Sequence, residues 1–375
     1  LYDATKVAGN LRQCSTIAYS GENDKQMQSS DIMSEYMAKE GLELPHIIGP
    51  GMGHAYDDGS KDEIERRLVP LVEQGKDRVP EQIRFTTYSL RYNEMLWVQV
   101  DGLEKHWERS DVAADIVDGG IQVKTTGITA LTLNMSAGQC PFSVGAEPSV
   151  VIDGTEITGP GVSADTSWSL HLVKTGTGWA SGRQSGLRKL NGLQGPIDDA
   201  FMDRFLIVTP SGTPMVGSAV TDWIHREQQD AIYQWKMQFR GDARVKVDRE
   251  VTDEDLEGSH LILWGDPSSN AVLSRTVEKL PVNWSQDTLQ MGANSYDAAR
   301  NVPVLVYPNP LSPGRYVVLN SGFTFAPNGS QSNSTQTPKL PDWAILDIGV
   351  PSSERPQKGV VDCDFFGERW EVVTR

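Results

Sequence analysis

The stretch STIAYSGENDKQMQSSDIMSEYMAKEGLELPHIIGPGMGHAYDDGSKDEIERRLVPLVEQGKD, residues 15–77, alternates short apolar runs with segments of helical period. STIAYS (15–20) is rich in strand formers, and Met27, Ile32, Met33, Tyr36 and Met37 recur at helical spacing until Gly41 ends the run. LPHIIGP (44–50) reads as a second strand. SKDEIERRLVPLVEQGKD (60–77) reads as an amphipathic helix with Ser60 as N-cap and acidic residues in its first turn. Strand, helix, strand, helix is the pattern of a parallel α/β sheet. Two strands alone do not make a stable sheet of that kind, so the pattern predicts further strands upstream of Leu1.

Beyond this stretch the period changes twice. From residue 80 to 192 the segments IRFTTYSLRY, MLWVQVDGL, GIQVKTTGITALTLNM, PSVVIDGTEI and SWSLHLVKTG alternate or run as β-branched residues between Asp-Gly and Gly-Gly turns. This predicts a β-sandwich-like domain. From 193 to 375 strand and helix alternate again: RFLIVTPSG, VTDWIHREQQDAIYQWKMQF, HLILWGDPSSNAVLSRTVEKL, VPVLVYPNP, RYVVLNSG and WAILDIG predict a Rossmann-like or flavodoxin-like three-layer domain. A polar low-complexity loop spans 326–341. The fold class expected is therefore α/β with a β-rich middle, in three domains: 1–79, 80–192 and 193–375.

Composition narrows the function. The chain of 375 residues carries a formal charge of -16 and no basic cluster, which argues against nucleic acid and anionic membrane surfaces as partners. No window approaches a membrane-spanning apolar run, so no membrane insertion is expected. Cys14, Cys140 and Cys363 are scattered and odd in number, which fits small apolar core residues better than a disulfide framework or a CxxC metal site. His106, His171, His225 and His260 show no zinc-ligand spacing. LILWGDPSSNAVL (261–273) lacks both GxGxxG and a Walker lysine, and is read as a capped helix start with Ser268 or Ser269 as cap. Neither a cofactor nor a metal is expected.

The residues that carry chemistry lie in the first stretch. In an open parallel sheet, ligands and catalytic groups occupy the loops beyond the carboxyl ends of the strands. Asp24, in the glycine-led loop after the first strand, and His54, in the glycine-rich turn after the second, are both placed there. A carboxylate beside an imidazole fixes its tautomer and stabilises the imidazolium formed when the ring takes a proton from a nucleophile. Each residue also has a plain structural reading, Asp24 as helix cap and His54 as surface loop residue. Their order and spacing favour the paired reading.

The segments NLRQCSTIAYSGENDKQMQSSDIM and GLELPHIIGPGMGHAYDDGSKDEIERRL resemble the last part of an α/β-hydrolase domain of the prolyl-oligopeptidase, dienelactone-hydrolase-like group. The resemblance implies Asp24, in Gly21-x-x-Asp24, as triad acid, and His54, in GMGH, as general base. FTTYSLRYNEMLWVQVDGLEKHWERSDV, GPIDDAFMDRFLIV and VPVLVYPNPLSPGRYVVLNSGFTF resemble the C-terminal extension of large bacterial peptidase-like proteins. Such a triad takes its serine from a G-x-S-x-G elbow preceding the acid. None precedes Asp24 here, and Ser136 and Ser185, in imperfect settings after the histidine, are read as turn serines. The expectation is therefore a serine hydrolase, peptidase- or esterase-like, acting on a small-molecule or peptide substrate, with its nucleophile upstream and this chain inactive by itself. The resemblance further implies a secreted or periplasmic protein. The alternative is a non-catalytic module recognising a carbohydrate or peptide polymer, or a partner protein. The ten tryptophans raise the question of a sugar platform, although most sit in apolar runs that predict burial.

Overall fold

The computed structural model describes residues 4–326, 335–351, 354 and 358–373. Residues 327–334 of the polar loop read at 326–341 lie outside the described residues. Among the described residues the fold is mixed α/β with five sheets, in two compact units, 1–185 and 186–375. The sequence reading places boundaries at 79/80 and 192/193. Residues 186–192 go with the second unit because Lys189 is anchored there: its backbone N–H donates to Glu368 O and its ammonium pairs with Asp342.

In the first unit, β1 (Ala18–Gly21) and β2 (His46–Gly49) pair in parallel, Ala18 opposite His46 and Gly21 opposite Gly49. Helix α1 (Gln28–Lys39) connects them, and α2 (Asp58–Gln74) follows β2. The N-cap of α2 is Asp57, whose carboxylate accepts from Ser60 N. This corrects the reading of Ser60 as cap: Asp57 takes the free amide of the first turn and starts the helix earlier. Among the described residues, the core beneath these elements comprises Ala8, Met37 and Leu44, with Leu11, Ala18, Met33 and Leu42 partly buried against it.

Ten strands follow: β3 (Gln82–Thr87), β4 (Glu94–Met95), β5 (Val98–Leu103), β6 (Ser110–Val117), β7 (Gly120–Thr126), β8 (Ile128–Met135), β9 (Ser149–Ile152), β10 (Thr155–Thr158), β11 (Trp168–Thr175) and β12 (Gly178–Ser181). They form two five-stranded sheets, in the orders β10-β9-β7-β6-β3 and β12-β11-β8-β5-β4. Alternation along β5, β6 and β11 turns every second side chain inward. Residues of both sheets, such as Ile83 and Val123 of one and Leu131 and Leu170 of the other, share one core.

The second unit centres on seven strands in the order β14-β13-β15-β20-β19-β21-β22. In chain order they are β13 (Phe205–Thr209), β14 (Val245–Val247), β15 (His260–Leu263), β19 (Asn301–Asn309), β20 (Ser312–Leu319), β21 (Trp343–Asp347) and β22 (Val360–Asp364). Helices α3 (Ser218–Phe239), α4 (Asp253–Gly258) and α5 (Ala271–Thr276) connect the parallel part, β14-β13-β15-β20. Between α5 and β19 lies a separate sheet of β16 (Val282–Trp284), β17 (Thr288–Met291) and β18 (Asn294–Asp297). All four residues of β15 are buried, as expected for a strand covered on both faces.

Candidate functional site

Because β1 and β2 run in parallel, the loops that follow them leave from the same sheet edge. The chain turns sharply after β1, where Asp24 N donates to Gly21 O at 3.0 Å. The two loops are then joined by backbone bonds from Glu22 N to Gly49 O (2.9 Å) and from Asn23 N to Met52 O (2.8 Å). The outcome is a hydrogen bond of 2.9 Å between His54 Nδ1 and Asp24 Oδ2. The Asp24 side chain is 11% exposed and that of His54 77% exposed. The two residues singled out in the sequence are thus brought together.

Asp24 is held as a carboxylate. Gln26 N donates to its Oδ1 at 2.8 Å. That backbone bond and then the bond from His54 lower its pKa below the ordinary value. Asp24 does not cap α1, whose N-cap is Met27 without a side-chain bond. An ionised carboxylate only accepts, so the imidazole proton sits on Nδ1. Among the described residues Asp24 is the one hydrogen-bond partner of His54, which leaves the Nε2 lone pair available to take a proton.

Gly21 makes this approach possible. A Cβ at this position would lie 2.1 Å from Gly53 O and 2.4 Å from Met52 O, both backbone atoms that cannot swing aside. Gly21→Ala is therefore expected to push the histidine loop away from the acid loop and to cost about 1–3 kcal/mol of stability. Chemical denaturation of the variant checks this, and a cost within the scatter of surface substitutions contradicts it.

The other candidates are not drawn into the pair. Ser136 is an exposed loop residue after β8 and Ser185 an exposed residue after β12, and neither hydrogen-bonds His54. A histidine that the sequence did not single out, His46, meets Ser20 Oγ through Nε2 at 3.0 Å. Ser20 is buried within β1 and His46 half-buried at the start of β2, so this pair is a part-buried polar contact between strands. No sequence signal marks it beyond the position of His46 at the start of β2. His106 Nε2 accepts from Leu90 N, and His260 Nδ1 accepts from Tyr316 N. Burial, with the neighbouring Arg315 charge, depresses the His260 pKa to about 4. His171 contacts Thr132 and Arg183, and burial followed by the Arg183 charge lowers its pKa.

The turn after β15 is closed on itself. Asp266 accepts from the amides of Ser268, Ser269 and Met215. Asn270 caps α5 by accepting from Val272 N and Leu273 N. The reading of Ser268 or Ser269 as cap is corrected, because Asn270 Oδ1 takes the first-turn amides while the Ser269 hydroxyl is engaged with the Asp266 backbone. Ser211 N and Gly212 N donate to Ser269 O, which joins the loops that follow β13 and β15.

Among the described residues no group of three or more His, Cys, Asp or Glu is placed to hold a metal ion. Nor is any helix among them long and apolar enough to cross a membrane. Cys140 is buried and Cys363 is partly buried and packed against the core of the second unit, whereas Cys14 is exposed, so the core reading fails at Cys14. Trp97, Trp168 and Trp179 in the β-rich region are buried, as their apolar settings predict, while Trp107 and Tyr92 are exposed. Comparison with protein-family models, with curated proteins and with solved structures gave no match.

Proposed function

We propose that Asp24 and His54 are the acid and the general base of a serine-hydrolase-type acyl-transfer site, peptidase- or esterase-like. The observation that carries this reading is the 2.9 Å bond between His54 Nδ1 and an ionised Asp24 at the mouth of a parallel sheet. In the step so defined, the nucleophile hydroxyl gives its proton to His54 Nε2 as its oxygen attacks an acyl carbon. Asp24 stabilises the imidazolium, and the same proton then passes to the leaving group. The reading takes 1–79 as the closing part of an α/β-hydrolase sheet, with the nucleophile on a further strand of that sheet. It takes the middle sheets as a β-sandwich and the C-terminal unit as a Rossmann-like or flavodoxin-like layer structure.

Exposed apolar side chains support the continuation of the sheet. Ile32, Ile48, Tyr56, Leu68, Val69 and Val72 are exposed on or beside β1, β2 and their helices, Val72 at 78%. A two-stranded parallel sheet over so small a core has little to stabilise it alone. Additional strands and helices would bury those faces. The test is turnover by the hydrolase that contains this chain: Asp24→Asn and His54→Ala each lower kcat by orders of magnitude if the reading is right. Full activity in both variants would refute it.

A further inference from the structure

The histidine loop is closed internally by backbone bonds from Met52 N to Gly49 O (3.3 Å) and from Ala55 N to Gly53 O (2.9 Å), and is otherwise rich in glycine. Gly49, Gly51 and Gly53 lie within five residues, and Gly51 sits at φ +68, in the region that favours glycine. An imidazole acting as base must nonetheless be held to within a fraction of an ångström of its working position. The loop is also fixed from outside. Glu22 N holds Gly49 O, Asn23 N holds Met52 O, and Tyr19 Oη donates to Ala55 O at 2.8 Å. Between these points, at the left-handed residue, Gly51 N donates to Glu22 Oε2 at 2.6 Å.

We propose that Glu22 is a positioning residue for the Asp24–His54 pair, setting the turn of the histidine loop so that the imidazole reaches the acid. The inference rests on reading that pair as the acid–base machinery. Glu22 has no cationic partner among the described residues, and its carboxylate is exposed, so the Gly51 amide is the one protein group that it engages. A carboxylate accepting from a backbone amide makes a short, charge-assisted bond. Beside the two backbone bonds, the side chains of this segment grip the second loop at two points: Asp24 takes the imidazole, and Glu22 takes the glycine turn three residues before it. Loss of the Glu22 carboxylate frees the φ of Gly51 without disturbing any buried side chain.

The ring-nitrogen NMR spectrum of His54 tests this in the chain as it stands, because the bond to Asp24 selects the Nδ1–H tautomer. Near neutral pH the parent chain is expected to hold this tautomer as its major form. Asp24→Ala should return the ring to the Nε2–H preference of a free imidazole. Glu22→Ala should make Nδ1–H the minor form while the remaining amide spectrum stays in place, and Glu22→Gln, which keeps an acceptor, should retain it. A parent-like ring spectrum in Glu22→Ala, or equal losses in Glu22→Ala and Glu22→Gln, overturns the positioning role. A parent chain already in the Nε2–H form overturns the acid–base pair itself, which is a separate result.

Discussion

Lys189→Met is expected to lower the unfolding free energy of the C-terminal unit by about 3–5 kcal/mol, the cost of leaving one member of a buried ion pair alone. Lys189 Nζ lies 2.7 Å from Asp342 Oδ2, and both side chains are fully buried. Phe366 N also donates to that oxygen, which ties the ion pair to the segment after β22. Methionine fills a similar volume but supplies no charge, so Asp342 must either stay ionised in a dry site or take up a proton. Replacing both residues, Lys189→Met with Asp342→Leu, removes the stranded charge and is expected to recover most of the loss. Urea unfolding followed by tryptophan fluorescence separates the two cases. A single variant no less stable than an ordinary surface substitution would contradict the description of this pair.

On the proposed acyl-transfer function, Asp24→Asn is expected to reduce kcat of the protein that contains this chain by about 10⁴-fold, since an amide no longer selects the Nδ1–H tautomer or stabilises the imidazolium. His54→Ala removes the base itself and should cost at least as much. Because the two act as one unit, the double variant should be little worse than His54→Ala alone. Strict additivity would mean that they act in separate steps. The low Asp24 pKa adds a pH dependence with a defined sign. Its folded pKa lies below the ordinary 3.8, so the stabilisation from its hydrogen bonds is fully present above 3.8 and is lost as pH falls through the folded value.

The pair and the parallel strands around it were legible because every cue pointed the same way. Apolar runs ended in glycine, and the polar residues that followed fell at one sheet edge. The strands β13, β15, β19, β20 and β21 were legible as unbroken apolar runs. The small sheet of β16–β18 was not, because its buried alternation, Val282 and Trp284 on β16 and Leu289 and Met291 on β17, runs over strands of only three and four residues set in a largely polar stretch. Caps were misplaced by three residues at α2 and by one or two at α5, where neighbouring Asp, Ser and Asn compete for the same amides. Glu22 carried no signal at all. Its role depends on where Gly51 N points, and only the folded loop specifies that. The Lys189–Asp342 pair was hidden for a related reason, since a sequence separation of 153 residues leaves no local pattern to read.

The central claim is that His54 activates a serine for acyl transfer. Its most direct test is to treat the protein, in its natural assembly, with an alkyl fluorophosphonate, which transfers its phosphoryl group to an activated serine oxygen as fluoride leaves. Mass spectrometry then locates the adduct. The account predicts one stoichiometric adduct on a serine of the completed sheet, with labelling abolished in His54→Ala. No adduct, or labelling that proceeds equally well without the imidazole, would contradict it.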